Sequence, residues 1–146
     1  MRCIVAGGRD ITDYDRVRRA ILLSGWTITE VVSGEASGVD TLGEQWAKAY
    51  GIPIKGFPVS KMDWRLLGPA AGPIRNGRMA AYAAEALPDA GLILVWDGQS
   101  KGSRSMRALA IQHLVPVFED REGVFYLRGH RMPTHVMHSI LYKEDS

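Results

Sequence analysis

The chain has 146 residues, of which 46% are hydrophobic and 23% are charged, and its formal net charge is +2. This length suits one domain with a substantial core. No apolar run reaches the ~20 residues of a membrane span, and the weak positive charge gives no support for sequence-specific nucleic-acid binding. The single cysteine, Cys3, excludes an internal disulfide. We therefore expect a cytoplasmic protein without a membrane partner or a leader peptide.

Strand and helix patterns alternate along the first half of the chain. Apolar runs at 2–6, 26–33 and 52–57 predict strands, and the first two run into glycine-bearing loops. The residues after these loops show helical periodicity. Residues 58–72 lack a clear period, so we expect an ordered loop over the strand ends.

The second half begins with a predicted helix over 73–87, because Pro73 fits the first helical position. Residues 91–96 form the most apolar run and predict a buried strand, which is followed by a polar loop and another amphipathic helix. Runs at 115–118 and 124–127 predict a fifth strand and an added antiparallel edge strand.

This alternation predicts an α/β fold. We expect a mostly parallel sheet of about five strands, covered by helices on both faces, with a C-terminal antiparallel edge strand. We treat 1–146 as a single domain with a core at 1–118 and a C-terminal extension at 119–146. The loops after the strands would meet at the carboxyl edge of the sheet, where open α/β folds bind ligands.

Small and polar residues concentrate in four of these loops. Their backbone N–H groups and the helix starts beside them suit a phosphate-bearing ligand, although each loop alone is also compatible with simple turn chemistry. Trp64 fits stacking on a base as well as packing as a lid. The predicted ligand-binding residues are Gly7, Gly8, Arg9, Asp10, Ser33, Gly34, Gly38, Asp40, Trp64, Gly72, Arg75, Asn76, Asp97, Gly98, Ser100, Gly102 and Ser103.

The loops also carry possible catalytic groups. The candidates are Asp10, Glu35 and Arg75, but their pattern does not select an acid or a base, and Arg75 equally fits a structural ion pair. The chain has no GxGxxG, GK[ST] or GxSxG motif, which disfavours dinucleotide oxidoreduction, P-loop hydrolysis and serine-hydrolase chemistry.

Metal binding is not favoured by the C-terminal histidines either. His130, His135 and His138 stand near Met132 and Met137 but have no cysteine or acidic ligand placed beside them. We therefore expect no metal and no cofactor.

Five segments together resemble, in order, the YspA-like branch of the SLOG superfamily, which is often met in bacterial and phage genomes. The segments are 7–10, 33–41, 62–64, 70–76 with Met79, and 97–103 with Met106. The resemblance covers roughly residues 1–118. It implies a Rossmann-like domain that binds a nucleotide or a nucleotide-derived small molecule.

Related SLOG proteins include the Lonely Guy phosphoribohydrolases, which cleave the N-glycosidic bond of a nucleoside monophosphate. Arg75 resembles their arginine at a helix start, but Met106 stands where they have a catalytic glutamate, and a thioether cannot stabilise an oxocarbenium-like centre. The favoured function is therefore binding, as a sensor or sequestering protein. The alternatives are a hydrolase of an N-glycosidic or phosphoester bond and a structural or partner-binding module. We also expect a homo-oligomer.

Overall fold

A computed structural model describes residues 1–133 and residue 137. The strands are β1 (Arg2–Gly7), β2 (Glu30–Ser33), β3 (Ile54–Gly56), β4 (Ala90–Trp96), β5 (Val117–Arg121), β6 (Val124–Leu127) and β7 (His130–Arg131). The helices are α1 (Tyr14–Ser24), α2 (Val39–Ala49), α3 (Lys61–Leu67), α4 (Ala71–Ala84) and α5 (Lys101–Gln112). A turn of 3-10 helix, Gly68–Ala70, joins α3 to α4.

These strands form one sheet in the order β3-β2-β1-β4-β5-β6-β7. The pairs from β3 to β5 are parallel, and β6 and β7 are added antiparallel. The predicted α/β fold is confirmed, with five parallel strands, although β7 rather than β6 forms the outer antiparallel strand. The strand order reverses between β1 and β4, and ligands bind beside such a reversal in open α/β folds.

Helices cover both faces of the sheet because its central strands are apolar on both sides. Every residue of β4 is buried, as expected for a strand covered on both faces. Ile93 and Val95 point to the face that packs against α1 and α2, whereas Leu92 and Leu94 point to the face that packs against α4 and α5. The sheet therefore separates two hydrophobic cores.

Two consecutive acidic residues of β5 are buried. Glu119 receives hydrogen bonds from Trp96, Arg107 and Arg121, and Asp120 forms an ion pair with Arg16 at 3.0 Å. Because neighbouring side chains of a strand point to opposite faces, one carboxylate joins the strand to α5 and the other joins it to α1. Buried carboxylates need such partners to offset the cost of leaving water.

The region 58–72 differs from the predicted loop because it contains α3 and the 3-10 turn. Ser60 and Asp63 form a capping box that starts α3. The helix has no buried residue, and its apolar side chains are exposed, so its sequence lacks the division into a polar and a buried face that marks a surface helix. The helix α4 begins at Ala71, two residues before the predicted start at Pro73.

Two sequence predictions fall at the C-terminal end. Residues 134–136 and 138–146, which include His135 and His138, lie outside the described residues. The predicted core boundary at 118 falls within β5, and β6 and β7 belong to the same sheet. Among residues 1–133 and 137, no helix has both the length and the hydropathy that a bilayer crossing requires.

Candidate functional site

A cavity of about 430 Å³ opens at the carboxyl ends of β1 and β4. It lies where the strand order reverses, and the first turns of α2 and α5 and the middle of α4 border it. Eleven of the predicted ligand-binding residues line it: Gly7, Gly8, Arg9, Asp10, Asp40, Arg75, Asn76, Asp97, Ser100, Gly102 and Ser103. Four separate loops of the chain thus converge on one place.

Glycines allow the backbones around the cavity to approach one another. A Cβ atom at Gly7 would lie 1.8 Å from the carbonyl oxygen of Val95 in the neighbouring strand. Gly38 has a φ of 75°, and a Cβ there would lie 2.2 Å from the carbonyl oxygen of Gly8. Both separations are below van der Waals contact, so only glycine fits at these two positions.

Arg75 crosses from α4 to the ends of two strands. Its Nη1 donates to the carbonyl oxygen of Gly34, which follows β2, and at 3.5 Å to that of Phe57, which follows β3. Its Nε donates to Oδ1 of Asn76 at 3.0 Å. Burial lowers the pKa of the guanidinium, which the charge of Asp40 partly opposes. The Nη2 group donates to no atom of the described residues and is available to a ligand.

Asn76 is buried and connects Arg75 to α5. Its Oδ1 accepts from Arg75, and its Nδ2 makes long contacts of 3.4 Å with the Gly102 carbonyl and 3.5 Å with Ser105 Oγ. The amide is therefore already engaged with protein groups. Its position favours orienting Arg75 rather than contacting a ligand with a free amide.

Asp40 is a buried carboxylate in the first turn of α2. Its Oδ2 accepts from the backbone N–H of Ala36 at 3.2 Å. Burial raises its pKa to about 6, while the Ala36 N–H and the charge of Arg75 act in the opposite direction. A carboxyl group with this pKa exchanges a proton close to neutral pH.

The first turn of α5 forms the opposite wall of the cavity. Ser100 is the N-cap residue, but its side chain makes no capping hydrogen bond, and its buried Oγ has no partner among the described residues. The first N–H groups of a helix have no acceptor within it. Asp97 accepts instead from the N–H groups of Gln99 and Ser100, both at 2.8 Å, and these bonds lower its pKa.

Comparison with protein families gives one match at the N-terminal end. Residues 1–66 match the YspA, cpYpsA-related SLOG family. These residues belong to the YspA-like branch of the SLOG superfamily. The predicted family is therefore confirmed. Comparison with curated proteins and with solved structures gives no match.

The SLOG match covers only part of the cavity. It contains the loop after β1 and the start of α2, but it ends before Arg75 and before the start of α5. The inclusion of these later residues in the site therefore depends on the geometry described above.

Some predicted residues do not line the cavity formed by the described residues. They are Ser33, Gly34, Gly38, Trp64, Gly72, Gly98 and the catalytic candidate Glu35. Gly34 and Gly38 still shape the site, because a Cβ atom on Gly34 would lie 2.7 Å from Arg75 Nη1 and one on Gly38 would meet the Gly8 carbonyl. Trp64 is 44% exposed on α3.

The other side chains among them are engaged elsewhere. Ser33 donates to Glu44, and the carboxylate of Glu35 lies near Gly56 of β3.

Six lining residues were not predicted as site residues. They are Ala6, Ile11, Ala36, Met79, Met106 and Glu122. Ala6, Met79 and Met106 give the cavity an apolar part, and their sequence signal was that of ordinary core positions. Glu122 lies in a turn between two strands. Nothing in its local sequence indicated that it lines the same cavity as the distant glycine-bearing loops.

Proposed function

We propose that this chain binds a nucleotide or a nucleotide-derived ligand that carries phosphate, and that it acts as a sensor or sequestering protein. Membership of the SLOG superfamily supports binding or processing of a nucleotide-related ligand. The position of the cavity at the strand reversal supports the same conclusion.

The observation that carries the proposal is the first turn of α5. This turn combines an unpartnered serine hydroxyl, the free N–H groups of a 12-residue helix and the absence of an acidic residue. The positive end of the helix dipole and several converging donors favour an anion. A phosphate oxygen would satisfy Ser100 Oγ, which has no partner among the described residues.

The remainder of the ligand would extend toward α2 and α4. Asp40 is an acceptor for a hydroxyl group, and Nη2 of Arg75 is a donor. The thioethers of Met79 and Met106 provide polarisable apolar surface, which suits contact with a ring. A ligand with phosphate, hydroxyl groups and an aromatic ring matches these three features.

Isothermal titration calorimetry against mono-, di- and cyclic nucleotides and ADP-ribose tests this proposal. We expect saturable binding of at least one member of the panel, weakened about tenfold or more by Arg75→Ala, because bonds to charged groups contribute about 1.5–3 kcal/mol. Arg78→Ala is the matched control, since Arg78 is exposed on the same helix and does not line the cavity. The absence of binding across the panel would contradict the proposal.

Hydrolysis of an N-glycosidic or phosphoester bond is a second candidate function. It is favoured by the raised pKa of Asp40, which suits proton transfer near neutral pH. Incubation with nucleoside monophosphates and NAD, followed by chromatography for released base or phosphate, tests this activity. We expect Asp40→Asn to abolish any turnover and Asp10→Asn to retain it, because Asp10 is exposed at the mouth of the cavity. Turnover that survives Asp40→Asn would remove Asp40 from the mechanism.

A further inference from the structure

Carboxylates outnumber cations around the cavity. Its lining contains two arginines and four acidic residues: Arg9, Arg75, Asp10, Asp40, Asp97 and Glu122. Most of the guanidinium of Arg75 is already engaged with backbone carbonyls and an amide. The site therefore keeps Arg9 and part of Arg75 as positive charge, set against four carboxyl groups.

Glu122 lies beside the start of α5. The backbone N–H of Glu122 donates to the carbonyl oxygen of Trp96 at 3.2 Å. Trp96 pairs with Arg121, so the residues that follow them, Asp97 and Glu122, are neighbours. Asp97 in turn accepts from the N–H of Ser100, the N-cap residue of α5. Two carboxylate-bearing residues thus lie on the strand side of the proposed phosphate position.

Local folding does not favour a glutamate at this position, although the turn between β6 and β7 has the same form, with φ values of 51° at Arg128 and 83° at Gly129. Glu122 and Gly123 form a two-residue turn between β5 and β6, with φ values of 50° and 83°. Such turns favour Asn-Gly or Asp-Gly, because both central residues have positive φ. Glu122 adopts this disfavoured conformation while contributing to the wall of the cavity.

Among residues 1–133 and 137, no cation forms an ion pair with Glu122. The charge of Glu122 helps to raise the pKa of the Arg16 guanidinium. The hydrogen bonds of Arg16, however, go to Asp120 and to the Trp96 carbonyl. Glu122 lines both this cavity and the neighbouring cavity that contains Arg16, so it adds a carboxylate-bearing residue to the wall between them.

We propose that Glu122 is a specificity-determining residue that, with Asp97, disfavours ligands carrying a second phosphoryl group next to the first. The inference rests on the proposed function, because it places one phosphoryl group at the start of α5. A second phosphoryl group would meet carboxylates rather than donors, and like charges in proximity select against a ligand.

Calorimetric titration with adenosine 5′-monophosphate and adenosine 5′-diphosphate at one fixed low ionic strength tests this role. We expect the unaltered protein to bind the monophosphate more tightly. We expect Glu122→Gln to reduce the ratio of monophosphate affinity to diphosphate affinity about threefold to fivefold, mainly because the diphosphate binds more tightly. This is the range of one partly exposed charge interaction. Glu122→Gly introduces a residue that the positive φ of this turn favours, and we expect the same reduction in the affinity ratio.

Glu85→Gln is the matched control, because Glu85 is an exposed carboxylate paired with Arg2 at the amino end of the sheet. We expect Glu85→Gln to leave the ratio of monophosphate affinity to diphosphate affinity unchanged. A ratio unaffected by both Glu122 variants, or tighter diphosphate binding by the unaltered protein, overturns the role of Glu122 and leaves nucleotide binding intact. Failure of the unaltered protein to bind either nucleotide or any other member of the panel overturns the proposed function and this inference together.

Discussion

The two helices that begin on opposite sides of the cavity differ in where the nearest carboxylate lies. The first turn of α2 contains the buried carboxylate of Asp40, and the N–H of Val39 donates to the Gly8 carbonyl. The first turn of α5 contains no acidic residue, and the hydroxyl of its N-cap Ser100 has no partner among the described residues. A helix start favours negative charge. At α2 the protein supplies it within the first turn, whereas at α5 Asp97 supplies it before the helix and accepts from the N-cap N–H, which leaves the first-turn N–H groups to a ligand.

The aspartates beside these helix starts show the same contrast. Burial raises the pKa of Asp40 to about 6, whereas hydrogen bonds from two backbone N–H groups lower the pKa of exposed Asp97. Similar residues near similar helix ends therefore have different uses. Asp40 is suited to proton exchange or hydroxyl recognition, and Asp97 shapes the loop that carries the proposed anion site.

The largest expected effect concerns the backbone that forms the α2 side. Gly38→Ala combines a positive φ with a Cβ atom 2.2 Å from the Gly8 carbonyl, so we expect a loss of about 2 to 4 kcal/mol in the free energy of unfolding. Gly25→Ala is the control, because Gly25 also has positive φ but its Cβ would have open space; it should cost about 1 kcal/mol. Urea unfolding measures both, and equal losses would contradict the close approach.

The pH dependence of stability distinguishes the two aspartates. The native pKa of Asp40 exceeds its ordinary value of 3.8, so ionisation favours unfolding as pH rises from about 4 to 6. The Asp40→Asn variant should gain up to about 3 kcal/mol relative to the unaltered protein between pH 4 and 7. Urea unfolding at both pH values measures this gain.

Asp97 should behave in the opposite sense. Its native pKa is lowered, so its ionised form contributes stability above the ordinary pKa and this contribution is lost as pH falls through the native value. Asp97→Asn should therefore be most destabilising near neutral pH. A pH trend of the same sign for both variants would refute the contrast.

Ligand affinity compares the two loops directly. Ser100→Ala removes the unpartnered hydroxyl at α5, and we expect about tenfold weaker nucleotide binding from the loss of one hydrogen bond to a charged group. Ser37→Ala alters an exposed serine in the loop before α2 that does not line the cavity and should leave affinity unchanged. Calorimetry with the tightest nucleotide of the panel gives both values, and equal losses would place the phosphate elsewhere.

The smallest expected effect is that of Trp64→Ala. The sequence left base stacking and packing equally open for this residue, but the structure places it on α3, 44% exposed and away from the cavity lining. We expect nucleotide affinity within twofold of the unaltered protein. A tenfold loss in the same titration would show that α3 closes over the ligand.

The sequence was sufficient to predict the fold because the central strands and the helices that cover them have a clear hydrophobic pattern. The central strand β4 and the apolar faces of α2 and α5 are examples. Most glycine-loop residues of the site were also predictable, since parallel strands bring their carboxyl ends to one edge. The sequence did not predict α3, because its apolar residues face solvent and give no buried side.

The engagement of individual polar groups depended on the three-dimensional structure. The sequence placed Asn76 among the ligand-binding residues, but its amide already contacts Arg75 and α5. Likewise, the serine without a hydrogen-bond partner could not be distinguished from other loop serines. Glu122 was missed because its connection to the site depends on strand register rather than on a local motif.

The position of Arg75 couples the outer part of the sheet to the ligand site. One guanidinium bonds to backbone oxygens beyond β2 and β3, and through Asn76 it reaches α5. We expect a bound anion that immobilises this side chain to restrain the short strand β3 as well, although β3 does not line the cavity. Slower amide hydrogen exchange at Lys55 in β3 would therefore indicate that a ligand occupies the cavity at the ends of β1 and β4.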